Sequence, residues 1–397
     1  METVQTRKRL AVITGTRAEY GLLRPVIFKL LKSDKIQPLV IVTGAHLSPE
    51  YGNTVTEIEA DGMPIVARLN ILTHGHGPLW LPETVQDTIG QFSRWFMENK
   101  PDGVLVLGDR YEIFAAAQAA ALTGVPIAHI SGGDVTLGAA DDYYRHCITK
   151  MASLHFPSCE DSAKRVIRMG ENPAIVHNVG GLGDENIRSM PRMDLDELSE
   201  SIQFDLHNPY ALVTFHPETA GGADPAAQSD MLLDAMDTIT EKYGMHWLIT
   251  KANADAGGQI INAKIDTWVE KHPGQALAVT SLGVKRYLSA MARADFVAGN
   301  SSSGVVETPT FGVPTVDIGD RQNGRIRCEN VIHCEADAAQ ITQAMETALR
   351  DDFAQKAHAT VSPYYGGDTS GRIVSILENA LADPNFGAPK GFYDVNQ

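Results

Sequence analysis

The chain reads as two doubly wound, Rossmann-like α/β domains facing across a cleft. Three observations predict this class. Short apolar runs recur along the chain, and each ends in a glycine-containing or polar turn followed by a helix-like stretch. That alternation calls for parallel strands covered by helices on both faces. The pattern restarts after a glycine-rich stretch, Val179-Gly180-Gly181-Leu182-Gly183, which suits a join between domains. Finally, 397 residues are too many for one small module and suit two or three domains.

In the first half, Leu10 to Ile13 is a strand feeding a Gly/Thr turn and an amphipathic helix from Tyr20 to Leu31. Leu39 to Val42 is the next strand and ends at Thr43-Gly44. Gly103 to Leu107 ends at Gly108-Asp109 and leads into an alanine-rich helix, Ile113 to Leu122. Pro126 to Ile130 ends at Gly132-Gly133-Asp134. In the second half the strands are Tyr210 to Phe215, Trp247 to Thr250, Phe296 to Ala298 and Pro314 to Ile318, with a last helix at about Ser370 to Leu381. The expected domains are 1–182, 183–368, and a C-terminal helix and tail over 369–397.

Composition narrows the function. Hydrophobic residues are 43% and charged residues 21%, the balance of a folded globular protein. A net charge of −16 argues against a nucleic-acid or anionic-membrane surface, although a few local cations can still hold a small anion. The most apolar stretch, Ile113 to Ile130, is broken by Gln118, Gly124, Pro126 and His129, so no membrane span is expected. The basic N-terminus has only a four-residue apolar run, too short for a signal-peptide core, and the cytoplasm is the expected location. Cys147, Cys159, Cys328 and Cys334 form no CxxC pair and read as reduced thiols. Neither a metal site nor a cofactor is expected.

Ligands of doubly wound sheets sit beyond the carboxyl ends of the strands. In the second half, Gly299-Asn300-Ser301-Ser302-Ser303-Gly304 follows a strand and precedes a helix start. Ser301, Ser302, Ser303 and Gly304 suit an anion held on backbone N–H groups; the plainer reading is a single serine N-cap. The run is neither a Walker A loop nor a GxGxxG. Glu307 can accept both hydroxyls of a ribose or merely complement the helix dipole. His216 and Arg321, each just past a strand, can contact phosphate. In the first half, Arg17 follows the first strand, Asp109-Arg110 the third, and Asp134 the fourth, with Asp141 and Asp142 in the loop beyond. Acidic surface loops are common in so acidic a chain, but acids at successive strand ends fit that reading poorly. An anion cradle in one domain and acids in the other point to a nucleotide-sugar enzyme.

The segments TGTRAEYGLLRPV, LGDRYEIFAAA, HISGGD, DDYYRHCITKM, FHPET, GNSSSGVVETPTFGVPTVDIGDRQNGR and the terminal GFYDV resemble the hydrolysing UDP-N-acetylglucosamine 2-epimerases of bacterial sialic-acid synthesis. The likeness runs from about residue 9 to the C-terminus. It implies the glycosyltransferase type B fold, in which the final helix crosses back to the first domain. By position it implies catalytic roles for Asp109, Asp134 and Asp141, with His216 assisting. It further implies UDP contacts at Arg17, Arg110, His216, Asn253, Ser301, Ser302, Ser303, Gly304, Glu307 and Arg321, and assembly as a homodimer or homotetramer. Relatives often carry Glu where this chain has Asp134, which bears on the sugar accepted. The same reaction on UDP-N,N′-diacetylbacillosamine is the near alternative. A glycosyltransferase of the same fold and a non-catalytic nucleotide-sugar sensor are more distant ones.

Overall fold

The computed structural model describes residues 7–49, 52–74, 79–135, 141–218, 224–252 and 257–395. The chain divides into two units, Met1–Asn186 with Pro363–Gln397, and Ile187–Ser362.

The first unit runs β1 (Lys8–Thr14), α1 (Arg17–Leu31), β2 (Ile36–Thr43), α2 (Val55–Ala60), β3 (Ile65–Leu69), α3 (Trp80–Asn99), β4 (Gly103–Leu107), α4 (Tyr111–Thr123), β5 (Ile127–Ile130), α5 (Asp141–Met151), β6 (Leu154–Phe156) and α6 (Glu160–Arg168), and the division between the units falls within α7 (Leu182–Ser189). The second runs α8 (Leu195–Ile202), β7 (Tyr210–Thr214), α9 (Pro225–Tyr243), β8 (His246–Thr250), α10 (Gly258–Lys271), β9 (Ala276–Val279), α11 (Gly283–Met291), β10 (Phe296–Gly299), α12 (Ser302–Val306), α13 (Thr308–Phe311), β11 (Thr315–Ile318), β12 (Val331–Cys334), α14 (Ala338–Ala348) and α15 (Asp351–His358). α16 (Thr369–Ala382) belongs to the first unit.

Each unit is built on a six-stranded sheet, ordered β3-β2-β1-β4-β5-β6 in the first and β12-β11-β10-β7-β8-β9 in the second. Every pairing is parallel. The order reverses between β1 and β4 in one sheet and between β7 and β10 in the other. At such a point the crossovers leave in opposite directions and a crevice opens beyond the strand ends.

The central strands are apolar on both faces. On β1, Leu10 and Val12 enter one core and Ala11 and Ile13 the other. On β7, Ala211 and Val213 oppose Tyr210 and Leu212 in the same way. Helix ends follow local chemistry. Thr16 and Glu19 close a capping box on α1, with the Thr16 side chain accepting from the Glu19 amide and the Glu19 carboxylate from the Thr16 amide. Gly124 in the left-handed region ends α4.

α16 is seated on α1. Its Ile373, Val374, Leu377 and Leu381 share a core with Leu23, Val26, Ile27 and Leu30. Arg372 donates to the carbonyls of Asn178 at 2.7 Å and Val179 at 3.1 Å. Gly180 and Gly366 pass so closely that a methyl on Gly366 would lie 1.9 Å from the Val179 oxygen, so only glycine fits there. Among the described residues no helix is long and apolar enough to cross a membrane. Cys147, Cys159, Cys328 and Cys334 are free.

Leu377 is fully buried in the seam between α16 and α1. Leu377→Ala is expected to cost about 2–5 kcal/mol, the usual result of removing a buried leucine side chain. Urea unfolding followed by circular dichroism measures it.

Candidate functional site

The predicted acids come together at the carboxyl end of the first unit's sheet. Gly108, at φ +75, turns the chain out of β4, and Asp109 follows. That turn is held from β5, where fully buried His129 lies with Nε2 2.8 Å from the Gly108 carbonyl. Burial pushes the His129 imidazole down to about 3, so it is neutral and donates through Nε2. After β5, Ser131 and Gly133 both take positive φ, and a methyl on Gly133 would meet the Ser162 carbonyl at 2.4 Å. This tight turn delivers Asp134, whose Oδ1 accepts from Ser158 Oγ at 2.8 Å and Ser162 Oγ at 2.5 Å. Asp141 opens α5.

Arg145, one turn into α5, joins these pieces. Its guanidinium donates to the Asp109 carboxylate, to Asp142 Oδ1 at 3.0 Å and to the Asp134 carbonyl at 2.6 Å. Its side chain is only 6% exposed. Burial, then the charge of Asp109, push the Asp141 carboxyl above the usual aspartate range. One of the acids is thereby biased towards keeping its proton, as a general acid requires. Arg110 is the N-cap residue of α4, and its Nε donates to Glu112 at 2.6 Å. Arg17, the first residue of α1, is largely exposed and paired with Glu57 at 2.9 Å.

In the second unit, β7 and β10 end side by side. Gly299, at φ +129, lies against Thr214, and a methyl there would sit 2.0 Å from the Thr214 carbonyl. Asn300 is fully buried, and its Oδ1 accepts from the His216 amide at 2.7 Å while Nδ2 donates to the His216 carbonyl at 2.8 Å. This two-point clamp fixes His216 relative to the serine run. Ser301 caps α12 by accepting from the Ser303 amide. Ser302 opens the helix and Gly304 packs against β11, with Thr315 Cγ2 3.3 Å from where its Cβ would be. Ser303 Oγ donates to Glu307, whose carboxyl is pushed up by burial. Arg321 and Gln322, beyond β11, both donate to the Asn300 carbonyl, at 3.1 and 2.8 Å. Asn253 lies outside the described residues.

Sequence reasoning passed over Arg145, Asn300 and the Ser158–Ser162 pair. Arg145 was within reach, standing at i+4 from Asp141 and i+3 from Asp142, the spacing at which helical side chains meet. Among the described residues one group of metal-ligating type gathers, Asp320, His333 and Glu335. All three are exposed, and none is among the acids around Arg145.

The family described as UDP-N-acetylglucosamine 2-epimerase matches residues 29–378. The chain is 36% identical over 350 residues to the GDP/UDP-N,N′-diacetylbacillosamine 2-epimerase (hydrolyzing) of Campylobacter jejuni, over 88% of this chain and 90% of that protein. It is 35% identical over 390 residues to polysialic acid biosynthesis protein P7 of Escherichia coli, over 98% of each. Among solved structures, the UDP-N-acetylglucosamine 2-epimerase from Neisseria meningitidis bound to UDP-N-acetylglucosamine matches with a TM-score of 0.74 at 18% identity, over 94% of this chain and 100% of that one. That likeness speaks to the fold, and the sequence matches carry the assignment. The chain belongs to the UDP-N-acetylglucosamine 2-epimerase family.

Proposed function

We propose that the protein is a hydrolysing 2-epimerase that converts UDP-N-acetylglucosamine to N-acetylmannosamine and UDP through a 2-acetamidoglucal. The observation that carries this reading is Arg145 at the end of one sheet, which bonds the Asp109 carboxylate and the Asp134 backbone carbonyl within electrostatic reach of Asp141. The C2 proton of a UDP-sugar is not next to a carbonyl. It becomes acidic only as the bond from C1 to the diphosphate oxygen breaks and positive charge grows at C1. Departure of UDP therefore leads.

His216, Ser301, Ser302, Ser303, Gly304 and Arg321 of the second unit receive the diphosphate. Glu307 accepts the ribose hydroxyls, and Asn253 contributes on the uridine side. One carboxylate then removes the C2 proton. Asp134 suits this role, because two hydroxyls occupy one of its oxygens and fix the direction of the other. Water adds at C1 of the glycal while an acid returns a proton to C2 from the opposite face, and the raised Asp141 suits that donation. A cytoplasmic site of action and a homodimeric or homotetrameric assembly belong to the same reading and rest on the family resemblance.

A second substrate, UDP-N,N′-diacetylbacillosamine, is favoured by one specific observation: the 36% identical Campylobacter jejuni relative is named for it.

Incubating the protein with each UDP-sugar in deuterated, oxygen-18 water and following it by NMR and mass spectrometry tests the reading. Free 2-epimerised sugar is expected, with deuterium at C2, oxygen-18 at C1 and stoichiometric UDP. A UDP-linked manno sugar as main product would reject hydrolysis, and the faster substrate names the specificity. Asp109→Asn, Asp134→Asn and Asp141→Asn should each cut turnover by about a hundredfold or more. Calorimetry should find UDP affinity within about threefold of wild type in all three, since a change under about threefold is below 1 kcal/mol.

The raised Asp141 also predicts a stability signature. Its ionised form is disfavoured in the folded state, so folding is penalised above its folded-state value and not below the ordinary aspartate range. The melting temperature of Asp141→Asn minus that of wild type should therefore increase from about pH 4 to about pH 7.

A further inference from the structure

Two more carboxyls are packed together beside Arg110, next to the acids but separate from them. Glu112, in the first turn of α4, is fully buried. Its Oε1 takes the Arg110 Nε–H, and its Oε2 is buried with no hydrogen-bond partner among the described residues. Glu19, on α1, is 6% exposed. Its Oε2 accepts from the amides of Gly15 at 2.7 Å and Thr16 at 3.1 Å, and its Oε1 is likewise buried and unpartnered. Gly15 joins the two. A methyl on it would lie 2.7 Å from Glu112 Oε1, while its N–H is already given to Glu19. Gly44, at φ +58, closes in from the end of β2, with its own Cβ position 3.4 Å from that Glu112 oxygen.

Two buried carboxylates beside one guanidinium leave a net negative charge out of water, which is costly unless a proton balances it. The groups around Glu19 decide where that proton sits. α4 contributes Arg110 and Glu112, and the β1–α1 turn contributes two amides. From the turn after β2 comes His46, bonded to Thr14 and Thr54 and pushed down to about 4 by burial, so it is neutral. Burial, then the charge of Glu112, push Glu19 up to about 8.

We propose that Glu112 is the positioning residue for Arg110, and that Glu19 carries the proton that lets the two carboxyls stand side by side next to a single guanidinium. Arg110 is aimed by this pair. Its charge also bears on Asp141, whose ionised form it favours. The proposal rests on reading this end of the sheet as part of a UDP-sugar epimerase site.

Two measurements test it. The first is a double-mutant cycle on kcat/KM for release of free sugar from the better UDP-sugar. Glu112→Gln and Arg110→Ala are each expected to lower kcat/KM by about tenfold or more, and the double variant should match the weaker single variant within about threefold, because Glu112 acts through Arg110. Losses that multiply in the double variant overturn the positioning role. The second measurement needs no turnover. Carbon-13 detection of glutamate carboxyls, with the Glu19 signal assigned by its loss in Glu19→Gln, should show wild-type Glu19 titrating near 8. In Glu112→Gln the midpoint should move down. A wild-type midpoint in the ordinary glutamate range overturns the shared proton. Failure of the wild type to turn over either UDP-sugar overturns the functional reading, and the Glu19 titration then decides the buried pair by itself.

Discussion

A guanidinium withdrawn from water must find acceptors on every side, and in the first unit Arg145 finds them on three pieces of chain. It reaches the side chain that follows β4, the backbone that follows β5, and a neighbour on its own helix. Asp109, Asp134 and Asp141 carry like charges in a chain of net charge −16, and would otherwise repel one another. One buried cation draws Asp109 in, while burial and then the charge of Asp109 make Asp141 hold its proton more tightly. The two serines on Asp134 do the same work with neutral donors. The electrostatics of the acids therefore follow from where α5 is placed, and α5 is placed by the crossover into β6.

Both units solve one structural problem in parallel ways. Where the strand order reverses, two loops must lie side by side with no ladder hydrogen bonds between them. In the second unit the buried amide of Asn300 supplies the missing bonds, clamping both backbone groups of His216 from the neighbouring loop. In the first unit Glu112, from the first turn of α4 after β4, packs against Gly15, from the loop after β1. A polar side chain buried at each reversal holds the loops at a fixed separation. The glycines at Gly15 and Gly299 are the places where backbone or carboxyl comes too near for a side chain. Neutral Asn300 needs no counter-charge, whereas Glu112 calls for Arg110 and a proton on Glu19.

The apolar runs and the turns that end them are properties of the sequence alone, and they sufficed for the inner four strands of each sheet. A central parallel strand is buried on both faces, so its residues are continuously apolar and stand out without any partner in view. The outermost strands did not stand out. β3 alternates between half-buried and exposed, β9 is mostly half-buried, β12 is buried at only one of its four residues, and β6 has three residues. What makes each of these a strand is the neighbour it pairs with, which a single stretch of sequence does not contain. The same division holds in the site. Asp109, Asp134, His216 and Ser301 were legible because each follows an apolar run, and strand ends are where ligands go. Arg145 and Asn300 were not, because an arginine inside a helix and an asparagine beside serines carry no local mark of burial. Only the packed structure withdraws them from water and thereby decides which of the acids and loops are held together.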